Sequence, residues 1–245
     1  MNNETIGISA ELAIADVFDI SVSPTYRIRG DEAAKKSLMD LVCRVFYEYE
    51  IPKPIEHIAE NQSPIDFILE YGETLSVKTN QKALGKVAPQ IIGQPTSETY
   101  FDFLYNRFGY DVYKELASRH WHDTHENRAF LFKEFSFNNI CEMLSEYWKH
   151  IFECDHYIHF YNILDGDRSL SYKPNCIILK NLPTNPFWDI NKISFTRNLQ
   201  TWNESNVLKY CGISIGEFQA HNHRNCLKFR FNINGILKLL ERNLI

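Results

Sequence analysis

The amino-acid sequence predicts an α/β fold: a mixed β-sheet core flanked by helices, with a β-rich carboxy-terminal extension. Helical apolar spacing governs residues 5–18 and 31–50, and a period-two pattern with a central break runs through 65–80. After residue 152, short alternating segments follow one another and a last helical stretch closes the chain.

Along 5–18, Ile8, Leu12 and Ala15, with Val17 and Phe18, form an apolar stripe, and Gly7, Ser9, Ala10 and Ala13 permit close backbone approach. Asp31 is placed to cap a helix over 31–50 whose buried face is Leu38, Leu41, Val42, Val45, Phe46 and Tyr49, with Pro52 and Pro54 as the stop. Residues 65–71 and 74–80 read as two strands around Gly72. Asp66, Ile68 and Glu70 share one face, as do Ser76, Lys78 and Asn80. Residues 86–95, flanked by two prolines and two glycines, read as a constrained loop or short helix. Helices are expected at 98–119, 136–152 and 234–243, and strands at 155–164, 176–180, 193–197, 213–220 and 226–232. We expect residues 1–152 to form a core and 153–245 a β-rich part completing it, or one continuous domain.

At 245 residues, 44% hydrophobic and 14% aromatic, the chain can bury a full core. The sequence has no run of eighteen apolar residues and starts Met-Asn-Asn-Glu-Thr, so a cytoplasmic protein with no membrane partner is expected. Six cysteines without C-x-x-C spacing read as reduced thiols. A net charge of −5 argues against indiscriminate coating of nucleic acid. It leaves room for a specific site, because Lys209, His221, His223, Arg224, Lys228, Arg230, Lys238 and Arg242 face only Glu217 and Glu241 near the carboxyl end.

If 65–71 and 74–80 pair as a hairpin, Asp66 and Lys78 project into a common cleft. A carboxylate there would hold a hard cation through oxygen, and a lysine would orient the attacking water or offset charge on a phosphate. Pro64-Ile65-Asp66 followed by Ser76-Val77-Lys78 resembles the PD-(D/E)xK nuclease superfamily, and within it the type II restriction endonucleases. The family's second acidic position is Ser76 here, which cannot supply an anionic oxygen. Glu70 lies about 13 Å along the strand from Asp66, and Glu73 falls in the turn. Glu11 is the better candidate, since 5–18 resembles the amino-terminal helix that carries a catalytic glutamate in several such nucleases.

The resemblance implies a restriction-endonuclease-like core with Asp66, Lys78 and Glu11 as catalytic residues, and Asp66, Glu11 and Val77 as Mg²⁺ ligands. It further implies double-stranded DNA as substrate, a homodimer, and a DNA methyltransferase acting on the same site. The alternating 213–232 hairpin offers Gln219, His221, His223, Arg224, Lys228 and Arg230 for base edges, and the loop after the lysine offers Asn80, Gln81, Lys82, Gln90 and Gln94. Against base contact stands a solvated face with a Glu217–Arg230 salt bridge. Two rivals compete with the enzyme: a non-catalytic DNA-binding or interaction domain that kept a degenerate nuclease fold, and a zinc hydrolase using His120, His122 and His125. His120, His122, Arg119 and Arg128 could alternatively line a DNA channel.

Overall fold

The computed structural model describes residues 2–59, 63–89, 92, 97–163, 173–180 and 182–245. The chain divides into two compact units that interleave in sequence: residues 1–85 with 152–182, and 86–151 with 183–245. Among the described residues no helix is long and apolar enough to cross a membrane.

The first unit is built on helices α1 (Asn3–Val17), α2 (Pro24–Arg27) and α3 (Glu32–Glu48) and a five-stranded sheet. Its strands are β1 (Pro54–His57), β2 (Phe67–Leu69), β3 (Thr74–Thr79), β5 (His156–Tyr161) and β6 (Asn175–Leu179), lying in that order. Only β3 and β5 pair in parallel; β1–β2, β2–β3 and β5–β6 are antiparallel, so the sheet is mixed as expected. The Asn2 side chain accepts the Thr5 N–H at 2.7 Å to start α1. Every residue from Ile8 to Ala15 is then buried, because the small side chains let neighbours close in on all sides. A helix of that kind buries Glu11 along with its apolar stripe.

Asp31 caps α3 through the Ala34 N–H at 2.9 Å. Leu38, Leu41, Val42, Val45 and Phe46 form its buried face as read. Tyr49 does not join them: α3 ends before it, Glu50 turns into the left-handed region (φ 52°), and the Tyr49 ring lies at the surface under Lys180. The helix thus stops ahead of Pro52. Strand β1 was not legible as a strand; it is short, and its register with β2 is broken by a bulge.

In the second unit, β4 (Lys86–Val87), β10 (Leu227–Asn232), β9 (Ile213–Ala220), β8 (Ser205–Tyr210) and β7 (Ile193–Phe195) form an antiparallel sheet in that order. Residues 86–87, expected in a loop or short helix, are an edge strand. The expected helix over 98–119 is two, α4 (Ser97–Phe108) and α5 (Val112–Ser118), because Gly109 adopts φ 67° and Asp111 caps α5. The helix expected at 136–152 starts at Ile140 as α7 (Ile140–Phe152), and an unexpected α6 (His125–Asn138) precedes it, begun by a Thr124 cap beside the histidine cluster.

The core of this unit is aromatic, with Tyr147 stacked on Phe229 at 4.4 Å and Trp148 edge-on to Phe231. Helix α8 (Ile233–Glu241) crosses the start of β9 so closely that a Cβ on Gly235 would run into the Ser214 carbonyl. Gly235→Ala is therefore expected to lower stability by about 3 kcal/mol, read as a shift in denaturant midpoint. Gly109→Ala, in open space, should cost only its left-handed backbone, about 1 kcal/mol.

Candidate active site

Asp66 stands where the β2–β3 ladder ends. Its N–H donates to the Leu75 carbonyl at 2.9 Å, but the next inward N–H of β3, that of Val77, goes to the Asp66 carboxylate, Oδ2, at 2.6 Å. Lys78 donates its ammonium to the same oxygen at 3.2 Å and to the Val77 carbonyl at 3.1 Å. The aspartate–lysine pair read from the sequence is thus formed. Ser76, in the acidic position of the motif, is fully buried and donates to the Pro64 carbonyl at 3.1 Å, tying down the segment that leads into Asp66.

Glu11 reaches the same neighbourhood from α1. It is 7% exposed, and two donors converge on its Oε2: the Tyr26 hydroxyl at 2.6 Å and His57 Nε2 at 2.9 Å. His57 sits edge-on between the Tyr26 and Phe67 rings, at 4.8 and 5.1 Å. Burial pushes the Asp66 carboxyl up to about 6; Lys78 opposes the rise and the Glu11 charge adds to it. Burial and the Glu11 charge also hold the Tyr26 phenol well above its ordinary value, so it stays a donor. Tyr26 and His57 were missed by the sequence reading. Neither carries a motif, and the only signal was negative: a glutamate amid small buried residues needs donors from elsewhere.

The donor set suits a hard cation. Both carboxylates spend one oxygen on protein donors, which leaves Asp66 Oδ1 and Glu11 Oε1, beside a Val77 carbonyl that also accepts from Lys78, as oxygens of the kind Mg²⁺ takes. Two buried carboxylates beside one lysine are also an excess of negative charge that a cation would neutralise. Glu70 and Glu73 do not contribute: Glu70 is exposed on a single 3-10 turn, and Glu73 meets His156 at 2.5 Å.

Beyond Lys78, the 80–85 loop is structured by Asn80. Its Oδ1 accepts the Gly85 N–H at 2.7 Å, so the His159 Nε2 at 2.8 Å must be the donor and His159 Nδ1 accepts from Tyr157 at 3.1 Å. Main-chain bonds from Asn162 and Ile163 to Lys82 and Gln81 continue the β3–β5 pairing. Lys82 is exposed and Gln81 half-buried; Gln90 and Gln94 lie outside the described residues.

The β9–β10 hairpin alternates as read, with Lys228 opposite Gln219 and Arg230 opposite Glu217 on one face. Glu217 takes both Arg230, at 3.4 Å, and Lys86, the geometry of the salt-bridge reading. At the tip, His221 is buried against Glu204 and Arg224, while His223 is exposed. His120, His122 and His125 are not gathered into a metal-spaced cluster; among the described residues that geometry belongs to Glu204, His221 and His223. His125 instead lies 3.1 Å from Arg128, and Arg119 and Arg128 pair with Glu134 and Asp123.

No family model matches the chain, and no solved structure does. The chain is similar to a type II restriction enzyme. That relative, the type II restriction enzyme CviAII of Paramecium bursaria Chlorella virus 1, is 34% identical over 242 residues, 98% of this chain. The match spans 61% of the relative's length, about three fifths of it.

The buried His159 gives the site a pH signature. Burial, with help from Lys78, pushes its imidazole down to about 3 from an ordinary 6.5. The folded chain therefore stays unprotonated there while the unfolded chain takes up a proton below 6.5, so this residue makes stability fall as pH drops from 6.5 toward 3. Parent protein is expected to lose more thermal stability between pH 6.5 and 4.5 than His159→Gln does; equal slopes would refute the assignment.

Proposed function

We propose that this chain is a type II restriction endonuclease, cleaving double-stranded DNA at a short sequence with Mg²⁺, in a restriction-endonuclease-like fold. The observation that carries the reading is the convergence of Asp66, Lys78 and Glu11 in one buried cluster, the set of groups that metal-dependent phosphodiester cleavage needs. The similarity to a named restriction enzyme supports the same activity.

In this reading Asp66, Glu11 and the Val77 carbonyl hold Mg²⁺, which when bound would activate a water and polarise the scissile phosphate. Tyr26 and His57 fix the glutamate so that its second oxygen faces the metal position. Lys78 is anchored by two acceptors, which leaves its third N–H for a phosphate oxygen or the attacking water. Gln219, His223, Arg224 and Lys228, with Gln81 and Lys82, supply contacts to bases and phosphates. A two-fold dimer would match a palindromic site, a cognate methyltransferase would protect the host sequence, and both reactions belong in the cytoplasm.

Asp66→Asn is expected to abolish Mg²⁺-dependent cutting while leaving DNA affinity in Ca²⁺ close to parental, because phosphate contacts supply most of the binding. Discrete fragments from Asp66→Asn would sink the assignment, and parent protein that binds specifically without cutting would favour the degenerate, non-catalytic reading. Recognition is tested by competition between cognate and scrambled duplexes. Gln219→Ala and Lys228→Ala are each expected to lower specific binding by about 1–3 kcal/mol. Arg230→Ala, whose arginine serves Glu217, should instead lower thermal stability and keep the cognate-to-scrambled ratio.

A further inference from the structure

The tip of the β9–β10 hairpin carries a second constellation, sharing no residue with the carboxylate site. Nδ1 of His221 and Nε2 of His223 lie 3.1 and 3.8 Å from the same oxygen of Glu204, and one ligand atom from each of the three residues falls within 4.8 Å of the others. Tetrahedral Zn²⁺ with bonds of about 2.0–2.1 Å places its ligands about 3.3 Å apart, so a small turn of the exposed His223 side chain closes the set. We propose that Glu204, His221 and His223 bind Zn²⁺, leaving a fourth position for water, and that Arg224 is the internal cation the metal displaces.

Two features single this cluster out from a chance pairing of histidines. The first is scaffolding. Lys133 of α6 is 4% exposed, and its ammonium donates to the Asn203 carbonyl at 2.6 Å and to Asn222 Oδ1 at 2.8 Å. Asn203 immediately precedes Glu204, and Asn222 separates the two histidines, so one buried lysine fixes both segments that carry the ligands. Two imidazoles and one carboxylate are also the nitrogen-rich donor set that suits zinc and its neighbours over Mg²⁺.

The second feature is a cation already in place. Arg224 Nη2 lies against the His221 ring, 3.1 Å from Nε2 and 3.5 Å from Nδ1, so a guanidinium sits beside the imidazole where the charge of a metal would fall. A metal at Nδ1 requires that nitrogen without its proton and the guanidinium to move off. Arg224 and the metal therefore compete for the same imidazole, and Lys133 and Arg224 together set a positive background that the metal must overcome. Arg224 is exposed, which lets it swing away.

The experiment is equilibrium dialysis of the full chain against Zn²⁺ alone, repeated with Co²⁺ as a spectroscopic probe. Parent protein is expected to hold one ion per chain more than His223→Ala, with Glu204→Gln weakening that ion by about tenfold or more. His223 is exposed, so its loss does not threaten the fold. Arg224→Ala should tighten binding about two- to fivefold by removing one competing positive charge. The Co²⁺ form should show visible bands of a tetrahedral nitrogen and oxygen site, absent in His223→Ala. Equal metal content in parent and His223→Ala, or thiolate bands that assign the ion to cysteines, would overturn the site. Unchanged or weaker binding by Arg224→Ala would overturn the displacement.

Discussion

The first unit depends on how a single carboxylate is kept in the interior. Asp66 is 4% exposed, and an ionised carboxylate at that depth is tolerable only with donors of matching charge. The chain provides them locally: the Val77 N–H, which the shortness of β2 leaves without a main-chain partner on that strand, and the Lys78 ammonium one residue on. The ladder between β2 and β3 gives out where the side chain takes over, so the same event that ends strand pairing creates the cluster. Ser76 locks the arrangement from below, because its hydroxyl answers the Pro64 carbonyl. A glutamate in that slot would bring a third buried negative charge against a carbonyl, which explains how the serine can be the better residue in this protein.

Helix α1 brings a second buried carboxylate into this unit, and keeping it there has a structural cost of its own. Glu11 needs a phenol and an imidazole, brought from α2 and β1, to stay buried as an anion. Those donors converge on one oxygen and so leave the other directed by elimination. Three short or irregular elements, α2, β1 and β2, are thus organised around two carboxylates, which is why none of them needs strong intrinsic propensity to exist.

That dependence also sets what could be read from the sequence. Asp66, Lys78, Ser76 and the Asp31 cap are legible because each acts over a few residues, within one hairpin or one helix turn. Glu11 was reachable through the resemblance of 5–18 to a nuclease helix, with the small residues around it as support; that the helix is buried all round was not read. His57 and Tyr26 act across 46 and 15 residues, respectively, and no local pattern encodes such a meeting. The helices around Gly109 and Asn139 failed for a different reason: apolar spacing carries through a break, and only the backbone sign at Gly109, the Asp111 cap and the helix end at Asn139 mark it. Strand β8 was lost because polar Asn206 occupies a buried position, where Arg197 and Thr196 satisfy its amide.

Charge shows the same limit in the second unit. Counted along the chain, eight basic or histidine residues near the carboxyl end face two glutamates, which suggests an open cationic surface. In space the balance is narrower. Glu217 engages both Arg230 and Lys86, and Glu204 faces His221 and His223 from outside the counted stretch. Burial of Glu217 at the centre of a polar face makes its two cations structural: removing either leaves an anion less well compensated in a poorly solvated place. Among the described residues Lys228, opposite Gln219 on that face and half-buried, forms no salt bridge. The cationic surface of this face is therefore narrower than the count along the chain suggests, and a net charge of −5 disfavours indiscriminate attraction to polyanions.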